Sequence, residues 1–452
     1  MIIRRRALAA TASVVLVLGL ATACSTTTTS TADAASGERA STTTTTSSLW
    51  DTSVVHTISI SYDQDDYDAL IAAYLDSGEK EWMSASVTID GVTYDDVGIK
   101  LKGNSTLRSL STSADAELSS QHPEDLPWLI RLDKYVDGQN ADGTTELVVR
   151  GNSSETSLNE AVALDLLAAA GLASEPAISA RVEVGGQSAL RLVIENPDEE
   201  WMTAQMPDAT ALYKADADGD YSYRGDDPDS YTDVFDQEAG DDDLTPLIDF
   251  LQFINESDDA TFEADLSDHL DVDAFATYLA YQELVDNFDD IDGPGNNSYL
   301  AYDASTGKMT VVNWDLNLAF GGSPAGGGNG GGNGGGGGGN GGGGGNRPGG
   351  GAQDGAQGGA QDDAQSGAAG GQGGGGGKSG NNILATRFLA DDTFKALYES
   401  ELERLTDVLY TSGLAQQLLD ARVAVLEQGA SDLVSTATIE SEAKSIAGYF
   451  SG

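Results

Sequence analysis

Asp286, Asp289, Asp290 and Asp292 crowd one short stretch that ends in Gly293-Pro294-Gly295 and the pair Asn296 and Asn297. A second group, Asp315 and Asn317, flanks Leu316 directly after an apolar segment. A carboxylate at a strand end, with another carboxylate and an amide a hairpin away, suits Mg²⁺. That ion takes a few oxygen ligands at short range and completes its shell with water and phosphate oxygens. Solvated turn residues would look the same in sequence. Cations stand far upstream. In VGIKLKGNST, residues 97–106, strand alternation puts Lys100 and Lys102 on one face, and a Gly103-Asn104-Ser105 turn follows. A strand feeding such a turn is one way to cradle phosphates, and a solvated strand face is the other reading. Arg131, with Asp133 on the same side of the segment 127–139, joins Lys102 as a candidate phosphate contact; a surface ion pair is its alternative.

Around these residues the patterning predicts strands at 54–62, 82–89, 97–101 and 127–139, with a helix over 67–75. Residues 157–170, rich in helix formers, read as a helix stopped by Gly171 and packed behind the lysine strands. Glu160 on it is open to two readings, an exposed helical Glu or one that orients a cation. A hairpin over 178–194 turns at Gly185-Gly186 and leads to Glu195. Amphipathic helices at 244–256 and 272–285 deliver the chain to the acidic stretch. There 298–301 and 308–312 form two strands around the turn 303–307. Helical patterns return at 383–389, 394–410, 414–426 and 436–450.

The chain has 452 residues, 73 acidic against 23 basic, for a net charge of −50. Such a surface repels nucleic acid, so no nucleic-acid partner is expected, and a nucleotide site needs local cations. Residues 1–23 carry Arg4 to Arg6, an apolar run and Ala21-Thr22-Ala23 before Cys24, and read as an export signal. Cys24, the single cysteine, stands where a lipoprotein carries its diacylated thiol, with Ala21 where Leu is usual. The expectation is a lipid anchor at Cys24 in the bacterial cell membrane. A Ser/Thr-rich tether over 24–50 and an extracytoplasmic domain would follow. Residues 321–382 hold most of the 56 glycines and read as a disordered insertion between a core at 51–320 and C-terminal helices at 383–452.

The motifs NFD (Asn287, Phe288, Asp289), NSYLAY (Asn297 to Tyr302) and NWDLNLAFG (Asn313 to Gly321) resemble the catalytic segment of the CotH kinase family. KGNST at Lys102 resembles its (R/K)GNS motif, Glu195 its strand-ending Glu, and Lys214 in LYK another of its landmarks. The resemblance implies an α+β, atypical protein-kinase-like, two-lobed fold. It also implies Asp289 as catalytic Asp, Asn297 as metal-binding Asn and Asp315 as the metal Asp of a DFG-like position, with Asn317 beside it. Lys100, Lys102, Arg131, Glu195 and Lys214 would face the nucleotide. Asp292 is the second catalytic candidate, because it precedes Asn297 by the five-residue spacing of an ordinary kinase catalytic loop. Two departures stand out: Asn313 replaces a frequent Pro, and Asn317 a frequent second Asp. The implied activity is ATP- and Mg²⁺- (or Mn²⁺-) dependent phosphoryl transfer to Ser or Thr of an envelope or coat-type protein. The alternative is a catalytically inactive envelope protein acting in metal-dependent binding or surface assembly. Paired carboxylates also serve glycosidases, but nothing in the sequence places such a pair across a cleft.

Overall fold

The computed structural model describes residues 48–104, 106–114, 116, 118–216, 219–293, 296–322 and 382–451. The export signal, Cys24, the tether through residue 47 and residues 323–381 of the Gly-rich tract lie outside the described residues. Gly321, Gly322 and Asn382, assigned to that tract from composition, are described. The Gly321 amide bonds the Asp286 carbonyl and the Gly322 amide the Leu318 carbonyl, and Asn382 caps the next helix.

Strands β1 (His56–Tyr62), β2 (Met83–Ile89), β3 (Val92–Leu101), β6 (Trp128–Arg131), β7 (Glu146–Val149), β8 (Ala177–Val184) and β9 (Gln187–Glu195) close into a barrel. Its order is β1-β2-β3-β6-β7-β9-β8, and the parallel pairing of β1 with β8 completes the ring. Alternation explains the barrel. Ile58, Val87, Ile99, Ile130, Leu147, Val149, Val182 and Val193 fill its interior. On the outer face of β6, β7 and β9, Leu129, Val148, Leu192 and Ile194 meet a helix, α2 (Leu158–Ala170). That helix is apolar nearly all round because the barrel covers one side and a C-terminal helix another. Gly171 ends it at φ 89°, as expected. A helix, α1 (Gln64–Ser77), follows β1, and the minimal strands β4 (Leu110–Ser111) and β5 (Leu118–Ser119) pair in a connection. The strand expected over 127–139 stops at Arg131. The chain then turns, with Gln139 Nε2 bonding the Leu132 carbonyl at 2.8 Å.

Beyond α3 (Glu199–Gln205) lies a second, antiparallel sheet of β10 (Ala211–Ala215), β11 (Phe235–Gly240), β12 (Ser298–Asp303) and β13 (Lys308–Asn313), in the order β11-β10-β12-β13. Tyr213, Leu300 and Val311 on one face join a cluster with α4 (Thr245–Glu256), α5 (Asp259–His269) and α6 (Val272–Leu284). Leu212, Tyr299 and Val312 on the other face join the cluster around α2. The remaining helices are α7 (Ile383–Ala390), α8 (Asp392–Leu405), α9 (Leu414–Gly429) and α10 (Thr436–Ala447). They pack back on the core, α8 on α6, α9 on α2 and α10 on α9. The α+β class is as expected. The closed barrel and the strand β11 were not foreseen.

Candidate active site

The site is built where the outer face of the barrel meets the end of β13. Because Ile99 and Leu101 enter the barrel, Lys100 and Lys102 must point outward. Lys102 Nζ lies 3.3 Å from Asn196 Oδ1 and 5.7 Å from the centre of the Trp314 ring. Burial, aided by repulsion from Lys214, pulls its pKa down to about 7. Lys100 instead lies over Trp82, at 4.6 Å, and burial lowers its pKa too. Lys214 on β10 stands 5.8 Å from the Trp314 ring and 3.9 Å from Glu238. Arg131 pairs with Asp133 at 2.8 Å and with Glu146 at 3.3 Å, and Glu146 takes a hydrogen bond from Asn196 at 2.9 Å. Arg131 therefore reaches the lysine group through Glu146. Glu195 does not join it. It sits on the opposite pleat from Glu146 and Asn196 and accepts from Thr144 Oγ1 at 2.9 Å.

Trp314 follows β13, and its ring meets Tyr299 edge-on at 5.6 Å. The next residue, Asp315, has φ 61°, so it is the left-handed backbone rather than strand alternation that turns its carboxylate away from Trp314 and Leu316. Asp315 Oδ1 receives Arg150 Nη2. Arg150, the residue directly after β7, also bonds Glu160 at 2.9 Å. The side chains of Arg150, Glu160 and Asp315 are 10%, 3% and 23% exposed. Burial opposes the charge on Arg150, but Asp315 and Glu160 outweigh it and raise its pKa. Burial likewise pushes Glu160 up to about 7, against the pull of Arg150, and Glu175 nearby up to about 8. Glu160 is thus the buried partner of a cation and not an exposed helical Glu.

The acidic loop is held separately. Asn297 Nδ2 donates to the Asp289 carbonyl at 3.0 Å, and Asp292 accepts the Asn382 amide at 3.1 Å, next to the start of α7. Gln282 on α6 accepts from Asn287 at 2.9 Å and donates to Asn313 at 2.7 Å. Through these amides the NFD loop is tied to the start of the NWD segment. Asn313, in place of the expected Pro, supplies an acceptor that a proline could not. Asn317 accepts at its carbonyl from Ser153 Oγ, 3.0 Å, and Asn159 Nδ2, 2.6 Å.

Lys102, Lys214 and Arg150 are therefore brought around one indole, with Asp315 beside it. Asn297 and Asp289 belong to the neighbouring loop, and Lys100 and Arg131 flank the lysine group. Asp315, Asn297 and Asn317 fit Mg²⁺ in donor type, all hard oxygens, and Arg150 engages one of the Asp315 oxygens. Among the described residues, His122, Glu124 and Asp125 come close enough to share an ion, but Arg191 donates to the Asp125 carbonyl there.

Residues 99–437 match the CotH kinase protein family. The chain belongs to that family. A search of curated proteins finds no match to it. The CotH match begins inside β3, one residue before Lys100, and ends at Ala437 in α10.

Sequence reasoning missed Arg150, Glu146, Asn196 and Trp314 as members of the site. One signal could have found Arg150. Lys102-Gly103-Asn104-Ser105 recurs as Arg150-Gly151-Asn152-Ser153, each cation directly following a barrel strand.

Proposed function

We propose that this CotH protein is a membrane-tethered, extracytoplasmic kinase-like protein that transfers a phosphoryl group from ATP to Ser or Thr of an envelope or coat-type protein. The observation that carries this reading is the chain Glu160–Arg150–Asp315 beside Lys102 and Lys214 at Trp314. A helix Glu that fixes a cation near a metal-type Asp is the arrangement by which kinase-like cores hold phosphates. In this reading the outer face of the barrel and the Trp314 side form the two halves of a kinase-like, two-lobed architecture.

Lys102 and Lys214 bind phosphate oxygens, and the arriving anion restores the full charge that burial takes from Lys102. Arg150, kept charged by Glu160, orients Asp315 and partly neutralises it. Asp315, Asn297 and Asn317 would hold Mg²⁺ or Mn²⁺, which when bound supplies charge neutralisation on the phosphates. Asp289, with Asp292 as the alternative, orients the acceptor hydroxyl. Catalysis is then mainly positioning and electrostatics. Lipidation at Cys24 would supply the tether.

A second reading, a catalytically inactive envelope protein that binds metal or assembles surfaces, is favoured by one feature: Arg150 already engages Asp315. Calorimetry with Mg²⁺–ATP and Mn²⁺–ATP, together with ADP release, separates the two. The variant to use is Asp315→Asn, which keeps an acceptor for Arg150. Wild type should bind metal–nucleotide and the variant should lose that affinity, while both fold. Equal affinity in the two proteins removes Asp315 as the metal ligand. Binding without turnover in wild type favours the second reading.

A further inference from the structure

The family match ends at Ala437, yet α10 continues to Ala447 and the described chain to Ser451. On this added segment the half-buried Glu442 collects four hydrogen bonds from the loop that opens α2. One carboxylate oxygen accepts the Glu155 amide at 3.0 Å. The other accepts Ser154 Oγ at 2.8 Å, the Thr156 amide at 3.2 Å and Thr156 Oγ1. The loop passes these contacts on, because Ser154 Oγ accepts the Ser157 amide at 3.1 Å and Thr156 Oγ1 the Leu158 amide at 3.2 Å. Ser157, at φ 51°, makes no side-chain cap of α2, so Glu442 supplies the anion that this helix start favours.

The same loop and the first turn of α2 grip the candidate metal segment. Ser153 Oγ and Asn159 Nδ2 hold the Asn317 carbonyl, and Asn159 lies one residue before Glu160. Farther on, the rings of Tyr449 and Phe450 lie 5.7 and 5.8 Å from that of Phe320. The C-terminal segment thus reaches the turn 315–321 through Asn317 and through Phe320. Two non-glycine residues of that turn are left-handed, Asp315 at φ 61° and Phe320 at φ 59°. Each costs free energy and persists only where surrounding contacts impose it. We infer that Glu442 is a positioning residue for Asp315 and Asn317: it fixes the loop 153–157, and that loop fixes the turn. Capping of α2 explains the contacts to residues 154–156 but not the link onward to Asn317. The functional consequence rests on the kinase reading, whereas the mechanical link does not.

Hydrogen exchange on the full-length protein tests the link. Glu442→Ala should speed amide exchange in both 154–158 and 315–322 by about tenfold, the loss expected for charge-assisted hydrogen bonds that hold a local unit. Glu442→Gln, which keeps an acceptor, should recover part of the protection. Ser153→Ala, at an exposed position, should speed 315–322 while the barrel strands stay at the wild-type rate. If Glu442→Ala loosens the whole chain, Ser153→Ala decides. Wild-type exchange in 315–322 in either alanine variant reduces Glu442 to a cap of α2 and overturns the inference. Calorimetry adds a second arm, in which Glu442→Ala weakens Mn²⁺–ATP binding. Failure of the wild type itself to bind nucleotide sinks the kinase reading and leaves exchange to decide the positioning role.

Discussion

Lys102-Gly103-Asn104 and Arg150-Gly151-Asn152 follow two barrel strands with the same pattern, and both cations lie 5.7 Å from the Trp314 ring. Their surroundings differ at every position. Arg150 has two carboxylates and stays charged, whereas Lys102 has an amide oxygen at 3.3 Å and a second lysine nearby, and loses much of its charge preference. Gly103 is needed for its backbone, at φ 103°. Gly151 is needed for space, because a Cβ there would meet the Thr106 methyl at 2.6 Å. Asn152 bonds the Leu190 carbonyl at 2.9 Å in a partly buried setting, and Asn104 pairs with Lys80 at the surface. A shared motif therefore specifies a strand end with a cation. What the cation does is set by the groups that the fold brings opposite it. The arginine turn is fixed by its ion pairs, and under the proposed function the lysine turn is the half that answers an anion.

The largest effect that would break this comparison is at Arg150. Arg150→Met should cost about 3–5 kcal/mol, because Glu160 and Asp315 are left buried without their counter-ion. Denaturant unfolding measures it, and a loss below about 1 kcal/mol would mean that the arginine turn is no more structural than the lysine one. A smaller effect is expected at the contact between the turns. Gly151→Ala should cost about 1–3 kcal/mol by overpacking against Thr106. Adding Thr106→Ser, which deletes the methyl, should recover much of it in a double-mutant cycle, and full additivity of the two changes would deny that the turns touch.

The smallest effect concerns the lysine turn and carries a sign. The folded pKa of Lys102 is depressed to about 7 from 10.5. It therefore contributes stability that is present above the unfolded value and lost as pH falls through the folded one. Lys102→Met should flatten that slope between pH 10.5 and about 7 and be more stable than wild type at neutral pH by up to about 1 kcal/mol after allowing for solvent screening. Its phosphate affinity should fall at the same time. A variant that is less stable at neutral pH and still binds phosphate would assign Lys102 to the frame.

Much of the fold was legible locally. The hairpins of β8 with β9 and β12 with β13, the helix α2 and its Gly171 stop, and the C-terminal helices follow from periodicity and turn chemistry. The strand β11 was not visible, because Phe235–Gly240 carries too few apolar residues to alternate clearly. Nor was α5, whose polar length, Asp259–His269, buries only Phe262 and Leu266. At the site, the shared face of Lys100 and Lys102 was readable from strand alternation, and its outward direction followed only from the barrel. The exclusion of Glu195 was not, since it depends on which pleat of β9 faces the neighbouring sheet.

By itself the sequence determined what short-range physics controls: which stretches alternate, where glycines stop helices, and that Lys100, Lys102 and Arg131 precede the acidic loops by more than a hundred residues. It also determined, through the motifs around Asp289 and Asp315, the family to which the chain belongs. Tertiary structure decided the closure of the barrel by β1 on β8, the meeting of three cations at Trp314, and the pairings Arg150 to Asp315 and Thr156 to Glu442. The last two span 165 and 286 residues. No local propensity specifies contacts at such separations. They form because burial leaves charged and polar groups facing one another, and each must find a partner once water is gone.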